Sequence, residues 1–405
     1  MRVAVTGIGL VTPVGSGREQ VWGNLLAGTC GIRPVSSFDT SAYAVHNGAE
    51  LQGFEPTALA RPTGRRLGRT SQIAITAAEQ AVDDSGLDLD ALDPTRIGVA
   101  MGTTSGEPRE IEAFDDLWVA EQLDRVGPEF LELYPCQVLS GHLAEVLGAA
   151  GPNITIPTAC AAGNYAIAFG FDALRHGRAD QVLAGGADSF SRITYSGFAR
   201  LGAIASDTCR PFDRQRQGMV PGEGGAVLVL ERLDAARRRG AHVYAEVLSY
   251  GLSCDAHHMT GSHPDGDGAT RAMRQALTTA ELGGAEVSYV SAHGTGTPTN
   301  DRMETRAAKR VFGATAHDVP MSSIKSMIGH TMGAASAIEA SVCALAIDRG
   351  EIPPTINLTE ADPECDLDYV AGESRKLGVK VAMNNAYAFG GNNSSVLFGH
   401  CDRTP

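Results

Sequence analysis

The sequence contains 405 residues, of which 43% are hydrophobic, and its formal net charge is −14. This length allows one large α/β domain or two smaller ones, each with a substantial core. The acidic balance and the lack of a long block of Lys and Arg argue against nucleic-acid binding. No apolar run approaches the roughly 18 residues that a membrane-spanning helix needs, so we expect a soluble, cytoplasmic protein with no membrane association.

The first half of the chain alternates short apolar strands with longer helical stretches. Strands are predicted at Arg2–Thr6, Ile97–Met101, Gln181–Ala184 and Ala226–Leu230, and helices at Thr70–Ser85 and Ala161–His176. This order predicts a mainly parallel sheet covered by helices.

A second series of the same kind begins near residue 243. Its predicted strands are Tyr244–Tyr250, Val287–Ala292, Val319–Ser322 and Val381–Asn384, and its predicted helices are Ala269–Thr279 and Glu304–Phe312. No Pro-rich or Gly/Ser-rich linker separates the two series. We therefore predict an internal duplication, with an N-terminal half at 1–242 and a C-terminal half at 243–405, packed as one body with the active site between them.

Cys160 is the strongest candidate nucleophile among eight cysteines, which form no CxxC or CxH pair that would indicate a metal site. It lies in NITIPTACAAGNYAIAF, where a β-branched strand passes into an Ala-rich helix whose first turn has little side-chain bulk. A thiol there meets unpaired N–H groups and the positive end of the helix dipole, so we expect a lowered pKa. For Cys30, Cys343 and Cys401 we expect ordinary structural roles.

Two histidines lie in glycine-containing loops at predicted strand ends. His293 is in SAHGTGTPTND, where the hydroxyls of Thr295 and Thr297 can bind an amide-bearing substrate arm, and His330 is in KSMIGHTMGAAS. An imidazole at a strand end can reach a pocket shared with the nucleophile. We therefore expect both histidines to be catalytic, and the remaining histidines to be ordinary core or surface residues.

Lys325 is one of only four lysines, and it follows the apolar run Val319–Ile324. This context favours burial beside a carboxylate, because an isolated buried ammonium is costly. Glu339, on the next predicted helix, is the candidate partner, although a helix-surface charge also fits its position.

The loop Phe389–Asn393 connects the last two predicted strands. Its two glycines let backbone N–H groups approach a ligand closely, so a donor here can pair with the Cys160 N–H around a developing oxyanion. A simple hairpin turn also fits the Gly-Gly pair.

Taken together and in this order, TACAAG, AHGTGTPTND, KSMIGHTMGAAS and AFGGNN resemble the motifs of the elongating β-ketoacyl-[acyl carrier protein] synthases. The resemblance extends to VAVTGIGLVTPVG and RPFDRQRQGMVPGEGGAVLVLE, so it covers nearly the whole chain. It implies a thiolase fold, a five-layered αβαβα body of two similar halves that is normally dimeric. It also implies decarboxylative Claisen condensation of an enzyme-bound acyl chain with malonyl-acyl carrier protein.

The resemblance further implies roles for individual residues. Cys160 would accept the acyl chain, while His293 and His330 would assist decarboxylation and stabilise the enolate. Backbone N–H groups of Cys160 and Phe389 would form the oxyanion hole, and the Phe389 ring would gate the acyl pocket.

Four supporting residues follow from the same resemblance. Lys325 and Glu339 would hold the histidines in place, and Thr295 and Thr297 would bind the phosphopantetheine arm of the carrier protein. Because loss of carbon dioxide supplies the carbanion, no cofactor and no metal are expected.

The implied carrier protein is acidic, so basic residues should gather where it docks on this acidic chain. The segment ARPTGRRLGRT offers four candidates, Arg61, Arg65, Arg66 and Arg69. A solvated helix start is the alternative interpretation of this segment.

Two motifs depart from the usual pattern of the family: ACAAG replaces ACTSG, and AYAFGG replaces SFGFGG. Neither change removes a catalytic group, but both border the acyl pocket and leave chain length and substrate shape open. With the arginine-rich composition, they favour a type II polyketide synthase slightly over a housekeeping fatty-acid elongation synthase. We expect either a homodimer or a heterodimer with a chain-length-factor subunit that lacks the cysteine.

Two further classes are disfavoured. A non-catalytic scaffold or chain-length subunit would not be expected to keep Cys160, His293, His330 and Lys325 intact. A thiolase would need a second cysteine that AFGGNN lacks, and an acyl-CoA-primed starter enzyme would carry one His and one Asn.

Overall fold

The strands and helices below belong to a computed structural model that describes residues 1–56, 61 and 63–402. The strands are β1 (Val3–Thr12), β2 (Gly15–Ser16), β3 (Arg33–Pro34), β4 (Asn47–Gly48), β5 (Ile97–Gly102), β6 (Asn153–Ile156), β7 (Gln181–Asp188), β8 (Gly224–Arg232), β9 (Ala245–Cys254), β10 (Tyr289–Ser291), β11 (Met321–Ser322), β12 (Glu351–Ile352), β13 (Arg375–Lys376), β14 (Val381–Tyr387) and β15 (Asn392–Gly399). The α-helices are α1 (Arg18–Leu26), α2 (Arg69–Ser85), α3 (Pro108–Val119), α4 (Glu129–Leu133), α5 (Val138–Leu147), α6 (Ala162–Arg175), α7 (Arg192–Arg200), α8 (Leu233–Arg238), α9 (Asp267–Thr279), α10 (Pro298–Phe312), α11 (Lys325–Ile328) and α12 (Ala335–Arg349). Within these described ranges, no helix is both long enough and apolar enough to cross a bilayer.

The main strands follow the order β11-β10-β14-β15-β9-β1-β8-β7-β5-β6. Each half of the chain supplies five of them. When the five strands of a half are numbered along the chain, their order from the centre of the sheet to its edge is first, fifth, fourth, second and third. In both halves the second strand is parallel to the third and fourth, while the fifth is antiparallel to the first and fourth. The same topology therefore occurs twice, and a short antiparallel pairing of β1 with β9 joins the two copies.

The prediction of a mainly parallel sheet was wrong, because two of the four pairings within each half are antiparallel. The clearest cause is the connection between β14 and β15, a turn at Phe389–Gly391. Such a short connection can only reverse the chain, since a parallel neighbour would need a crossover of a dozen or more residues.

Five layers result from where the helices pack. Helices α2 and α5 cover the strands of the first half, and α9 covers β9 and β15 of the second. Helices α6 and α12 lie between the two sheets, because α6 contacts β5, β7 and β15 while α12 contacts β8 and β14. This αβαβα order confirms the implied thiolase fold with two similar halves.

The two central helices approach each other closely because their facing residues are small. A Cβ atom added at Gly163 of α6 would lie 2.5 Å from the backbone nitrogen of Ala337 in α12, so only glycine fits there. In α12 the residues from Ala335 to Ile347 are all buried, as expected for a helix enclosed by two sheets and a neighbouring helix. The N-terminal ends of these helices carry the site described next.

Candidate active site

Each central helix begins with a strained turn. The turn Ala159–Ala161, which contains Cys160, precedes α6, and Ala159 has φ 49°. The turn Met332–Ala334 precedes α12 in the same way, and Met332 has φ 53°. Non-glycine residues pay about 1–3 kcal/mol for such a backbone, and they concentrate at functional sites. The duplicated fold thus places the cysteine and the loop of His330 at equivalent positions.

One cavity of about 260 Å³ brings together six of the residues predicted from the sequence. They are Cys160, His293, Thr295, Thr297, His330 and Phe389, and apolar side chains such as Phe198, Leu201 and Met219 complete the wall. A few polar groups that converge in an apolar pocket are typical of a catalytic site.

The two histidine rings are held in defined orientations. Their centroids are 5.5 Å apart and their planes nearly perpendicular, at 84°. Nδ1 of His330 accepts a hydrogen bond from the Met332 N–H at 3.2 Å, and Nδ1 of His293 accepts one from the Lys325 ammonium at 3.5 Å. Because each neutral ring carries one proton, both Nε2 atoms are left as N–H donors.

Both imidazoles are expected to be neutral at physiological pH. Burial, and next the positive charge of Lys325, lower the pKa of His293 well below 6.5, and the same two causes act on His330. Neutral N–H donors can stabilise a developing negative charge without giving up a proton.

Lys325 and Glu339 lie behind the histidines and form an ion pair, with 1% of each side chain exposed. Burial acts to raise the pKa of Glu339, while the adjacent Lys325 charge acts to lower it and favours the carboxylate. The structure thus brings together the two residues for which the sequence suggested a pair. Glu339 holds the Lys325 ammonium in place beside His293.

We expect Glu339→Gln to lower the free energy of unfolding by about 3–5 kcal/mol, because it leaves a buried ammonium without its counter-charge. Denaturant unfolding of both proteins measures the difference. Glu19→Gln is a matched control, since its ion pair with Arg349 is 62% exposed on the Glu19 side and should change stability by at most about 1 kcal/mol. Equal losses in the two variants would contradict the assigned burial.

The expected low pKa of Cys160 was wrong. Cys160 is only 7% exposed and packs among Ala161, Ala386 and Ala388. Burial raises the pKa of the thiol to about 12, with the Lys325 charge acting in the opposite direction. Desolvation of the thiolate thus outweighs the Lys325 charge, so the resting group is a thiol whose proton must leave as the sulfur attacks.

This raised pKa has a measurable consequence. The alkylation rate of Cys160 should rise about tenfold per pH unit from pH 6 to pH 9 without a plateau, because only the thiolate reacts and its fraction is small throughout. Iodoacetamide labelling followed by peptide mass spectrometry separates Cys160 from the exposed Cys254. A plateau below pH 8 would indicate a lowered pKa and contradict the effect of burial.

The loop Phe389–Gly391 is the hairpin turn that the sequence allowed, and Phe389 lines the cavity. The oxyanion-hole role of this loop stays a prediction. Gly390 and Gly391 have φ 80° and 76°, a region that favours glycine. The Gly390 N–H donates to the Met259 carbonyl and the Gly391 N–H to the Ala388 carbonyl. The Phe389 N–H donates to no acceptor among the described residues, which leaves it available to a ligand.

Sequence reasoning missed two buried carboxylates at the site. Glu304 on α10 accepts the N–H groups of His293 and Gly294, both at 2.8 Å, and fixes the histidine loop. Asp188 at the end of β7 accepts several hydrogen bonds near α12. A helical-wheel analysis could have found Glu304, which shares a buried face with Ala307 and Ala308, whereas no local pattern marks Asp188.

The four arginines proposed to contact a carrier protein all have carboxylate partners within the chain. Arg61 pairs with Asp90, Arg65 with Glu145, Arg66 with Glu110, and Arg69 with the buried Glu223. Arg69 donates two hydrogen bonds of 2.9 and 2.8 Å to Glu223, so its guanidinium compensates the charge of a buried carboxylate. Contact of the four with a carrier protein stays a prediction.

A thiolase fold that gathers one cysteine and two neutral histidines in one cavity defines a condensing acyltransferase. The family models described as the N-terminal and C-terminal domains of β-ketoacyl synthase match residues 1–236 and 244–359. The chain therefore belongs to the β-ketoacyl synthase family, which confirms the resemblance in its motifs. It is an acyltransferase that forms carbon–carbon bonds.

Three relatives illustrate the family. A 3-oxoacyl-[acyl-carrier-protein] synthase 2 from Synechocystis sp. is 41% identical over 98% of this chain and 97% of its own length. The tetracenomycin polyketide synthase ketoacyl synthase alpha subunit from Streptomyces glaucescens is 41% identical over 100% of this chain and 98% of its own. A solved chain described as the ishigamide ketosynthase/chain length factor superposes with a TM-score of 0.94 at 41% identity, covering 98% of this chain and 99% of the other.

Proposed function

We propose that this chain is the catalytic ketosynthase subunit of a type II polyketide synthase, in which an acyl chain held on Cys160 is condensed with malonyl-acyl carrier protein. The observation that carries the assignment of residues is the single cavity in which Cys160 faces two histidines with free Nε2–H donors. The polyketide assignment draws on the Streptomyces relative and on the altered motifs ACAAG and AYAFGG.

In the first half-reaction, the acyl group moves from a carrier-protein thioester to Sγ of Cys160. The new carbon–sulfur bond forms as the bond to the pantetheine sulfur breaks, and the thiol proton passes to the departing sulfur. The N–H groups of Cys160 and Phe389 donate to the oxyanion that develops on the acyl carbonyl.

In the second half-reaction, the thioester oxygen of malonyl-carrier protein accepts hydrogen bonds from Nε2–H of His293 and His330. Carbon dioxide leaves, and the two donors stabilise the enolate without protonating its carbon. The enolate carbon attacks the Cys160 thioester, the carbon–sulfur bond to the enzyme breaks, and the Cys160 thiolate that leaves takes a proton from water. The β-ketoacyl product departs on the carrier protein.

The substrates arrive on the phosphopantetheine arm of the carrier protein. Thr295 and Thr297 line the cavity, and their hydroxyl oxygens are 2.8 Å apart, so they form a pair of hydrogen-bonding groups for the amides of this arm. The chain's own side chains carry both half-reactions, with no added cofactor or metal in the scheme.

The partners follow from the same proposal. A carrier protein delivers both substrates, and the chain pairs either with a second copy or with a chain-length-factor homologue. The structural neighbour described as a ketosynthase/chain length factor supports the heterodimer. Co-expression with a candidate partner subunit, followed by affinity purification and mass measurement of the intact complex, separates the two arrangements.

Fatty-acid elongation is the second candidate, because the Synechocystis synthase is as similar to this chain as the polyketide relative is. Chain selectivity separates the two. Carrier proteins that bear chains of equal length, either saturated or with keto groups or double bonds, are incubated with the enzyme, and the acyl-enzyme is followed by intact-mass spectrometry. The polyketide role is supported if the unsaturated or keto-bearing chains load at least about tenfold faster, a difference of about 1.4 kcal/mol in activation free energy. Faster loading of the saturated chains supports elongation.

A further inference from the structure

Asp188 is a buried carboxylate that the reaction scheme above does not use. It is the last residue of β7 and only 2% exposed. It accepts hydrogen bonds from the Thr103 hydroxyl at 2.8 Å, from the N–H groups of Thr104 at 2.8 Å and Ser105 at 3.3 Å, and from the Gly333 N–H at 2.6 Å. One side chain thus joins a loop of the first half to the turn that begins α12 in the second.

The bond to Gly333 bears on His330. Gly333 lies in the turn Met332–Ala334, and the preceding Met332 has φ 53° and donates its N–H to Nδ1 of His330. A Cβ atom at Gly333 would lie 2.7 Å from Oδ2 of Asp188, so the contact leaves no room for a side chain. Asp188 therefore holds Gly333, and the residue before it, Met332, donates to the His330 imidazole.

The turn needs such an anchor. A methionine in the left-handed region is strained, and strain of this kind persists only where the surroundings hold it. A hydrogen bond to an ionised carboxylate is about twice as strong as one between neutral groups. Burial raises the pKa of Asp188 to about 6, against the opposing effect of its donors, so above that pH the group is mostly the anion that such a bond requires.

We propose that Asp188 is a positioning residue that keeps His330 in the Nε2–H tautomer by anchoring the Gly333 N–H. With the turn fixed, the Met332 N–H points at Nδ1 and excludes a proton from that atom, so the proton stays on Nε2. The consequence for malonyl decarboxylation rests on the proposed function, whereas the tautomer itself does not.

The test is Asp188→Asn, which keeps the shape of the side chain but removes its charge and replaces one acceptor oxygen with an N–H donor. Selective ¹⁵N-histidine labelling reports the tautomer, and the His330 signals are assigned by their loss in His330→Ala. We expect the unsubstituted protein to show the Nε2–H form at pH 7.5, and Asp188→Asn to lose that preference. Decarboxylation of malonyl-carrier protein should fall at least about fiftyfold. Acyl loading of Cys160 should not fall, because the Asp188 charge raises the pKa of the thiol and its removal favours the thiolate.

Asp213→Asn is the matched control. Asp213 is equally buried and also accepts backbone N–H groups from a distant segment, those of Thr359 and Glu360, but it makes no contact with the turn before α12. Its substitution should leave the His330 signals and the ratio of the two half-reactions unchanged.

Three results would overturn the proposal. The first is an Nδ1–H tautomer of His330 in the unsubstituted protein, a measurement that does not depend on any variant folding. The second is an unchanged tautomer in Asp188→Asn, and the third is an equal loss of loading and decarboxylation in that variant, which would make Asp188 merely a structural residue. If the unsubstituted protein decarboxylates no malonyl-carrier protein, the proposed function fails, yet the tautomer comparison still decides the role of Asp188.

Discussion

Cys160→Ala should abolish acyl loading, and condensation with it, by more than about a thousandfold. The reason is that the reaction passes through a covalent thioester on this sulfur, and enzymes that lose their nucleophile lose most of their rate. Intact-mass spectrometry after incubation with acyl-carrier protein shows the adduct on the unsubstituted protein. The fold should survive, because only one sulfur atom is removed and alanine fits the small-residue turn Ala159–Ala161.

Cys254→Ala is the control for this prediction. Cys254 is exposed at the end of β9, and its sulfur is 3.6 Å from the Gly390 carbonyl, so it is a second thiol near the cavity loop. Its replacement should leave loading intact. If the acyl adduct persists in Cys160→Ala and disappears in Cys254→Ala, the acylated residue is Cys254, which would contradict the proposed mechanism.

His330→Ala should slow malonyl decarboxylation by about 10²–10⁴-fold, the range expected when a donor to a developing oxyanion is removed. Loading of Cys160 should change much less, because the oxyanion of that step is bound by the backbone N–H groups of Cys160 and Phe389. Conversion of malonyl-carrier protein to acetyl-carrier protein, followed by mass, measures decarboxylation separately from condensation.

His242→Ala serves as the comparison for this second prediction. His242 is 58% exposed and pairs with Asp348 at the surface, so its loss should affect neither half-reaction. Unchanged decarboxylation in His330→Ala would remove this residue from the proposed role. A parallel loss of loading and decarboxylation would instead indicate that the imidazole mainly supports the shape of the cavity.

The positions of the main elements could be predicted from the sequence because local patterns determine them. The predicted helix Ala161–His176 is observed at Ala162–Arg175, and the predicted strand Val381–Asn384 is part of β14, Val381–Tyr387. The positions of Cys160 and His293 just after strands β6 and β10 were predictable for the same reason, whereas the short helix α11 separates His330 from the end of strand β11. Parallel strands and strand-to-helix turns direct their loops to one edge, where ligands bind.

Properties that depend on distant parts of the chain were not predictable. The helix N-terminus suggested a low pKa for Cys160, but Ala386 and Ala388 of the second half bury the sulfur and reverse the direction. The basic segment suggested four arginines that contact a carrier protein, but the sequence could not show that Arg69 pairs with Glu223, which lies directly before β8 and far along the chain. Asp188 carries no local signal, since its partner Gly333 lies in the other half.

The central claim is that Cys160 carries an acyl chain that is transferred to a carbanion formed by decarboxylation. Single-turnover mass spectrometry tests it most directly, with acyl-loaded enzyme mixed with malonyl-carrier protein. The account predicts that the acyl mass leaves the enzyme as the carrier protein loses carbon dioxide and gains that same acyl group. Release of the acyl group as free acid, or decarboxylation with the acyl group still on Cys160, would contradict it.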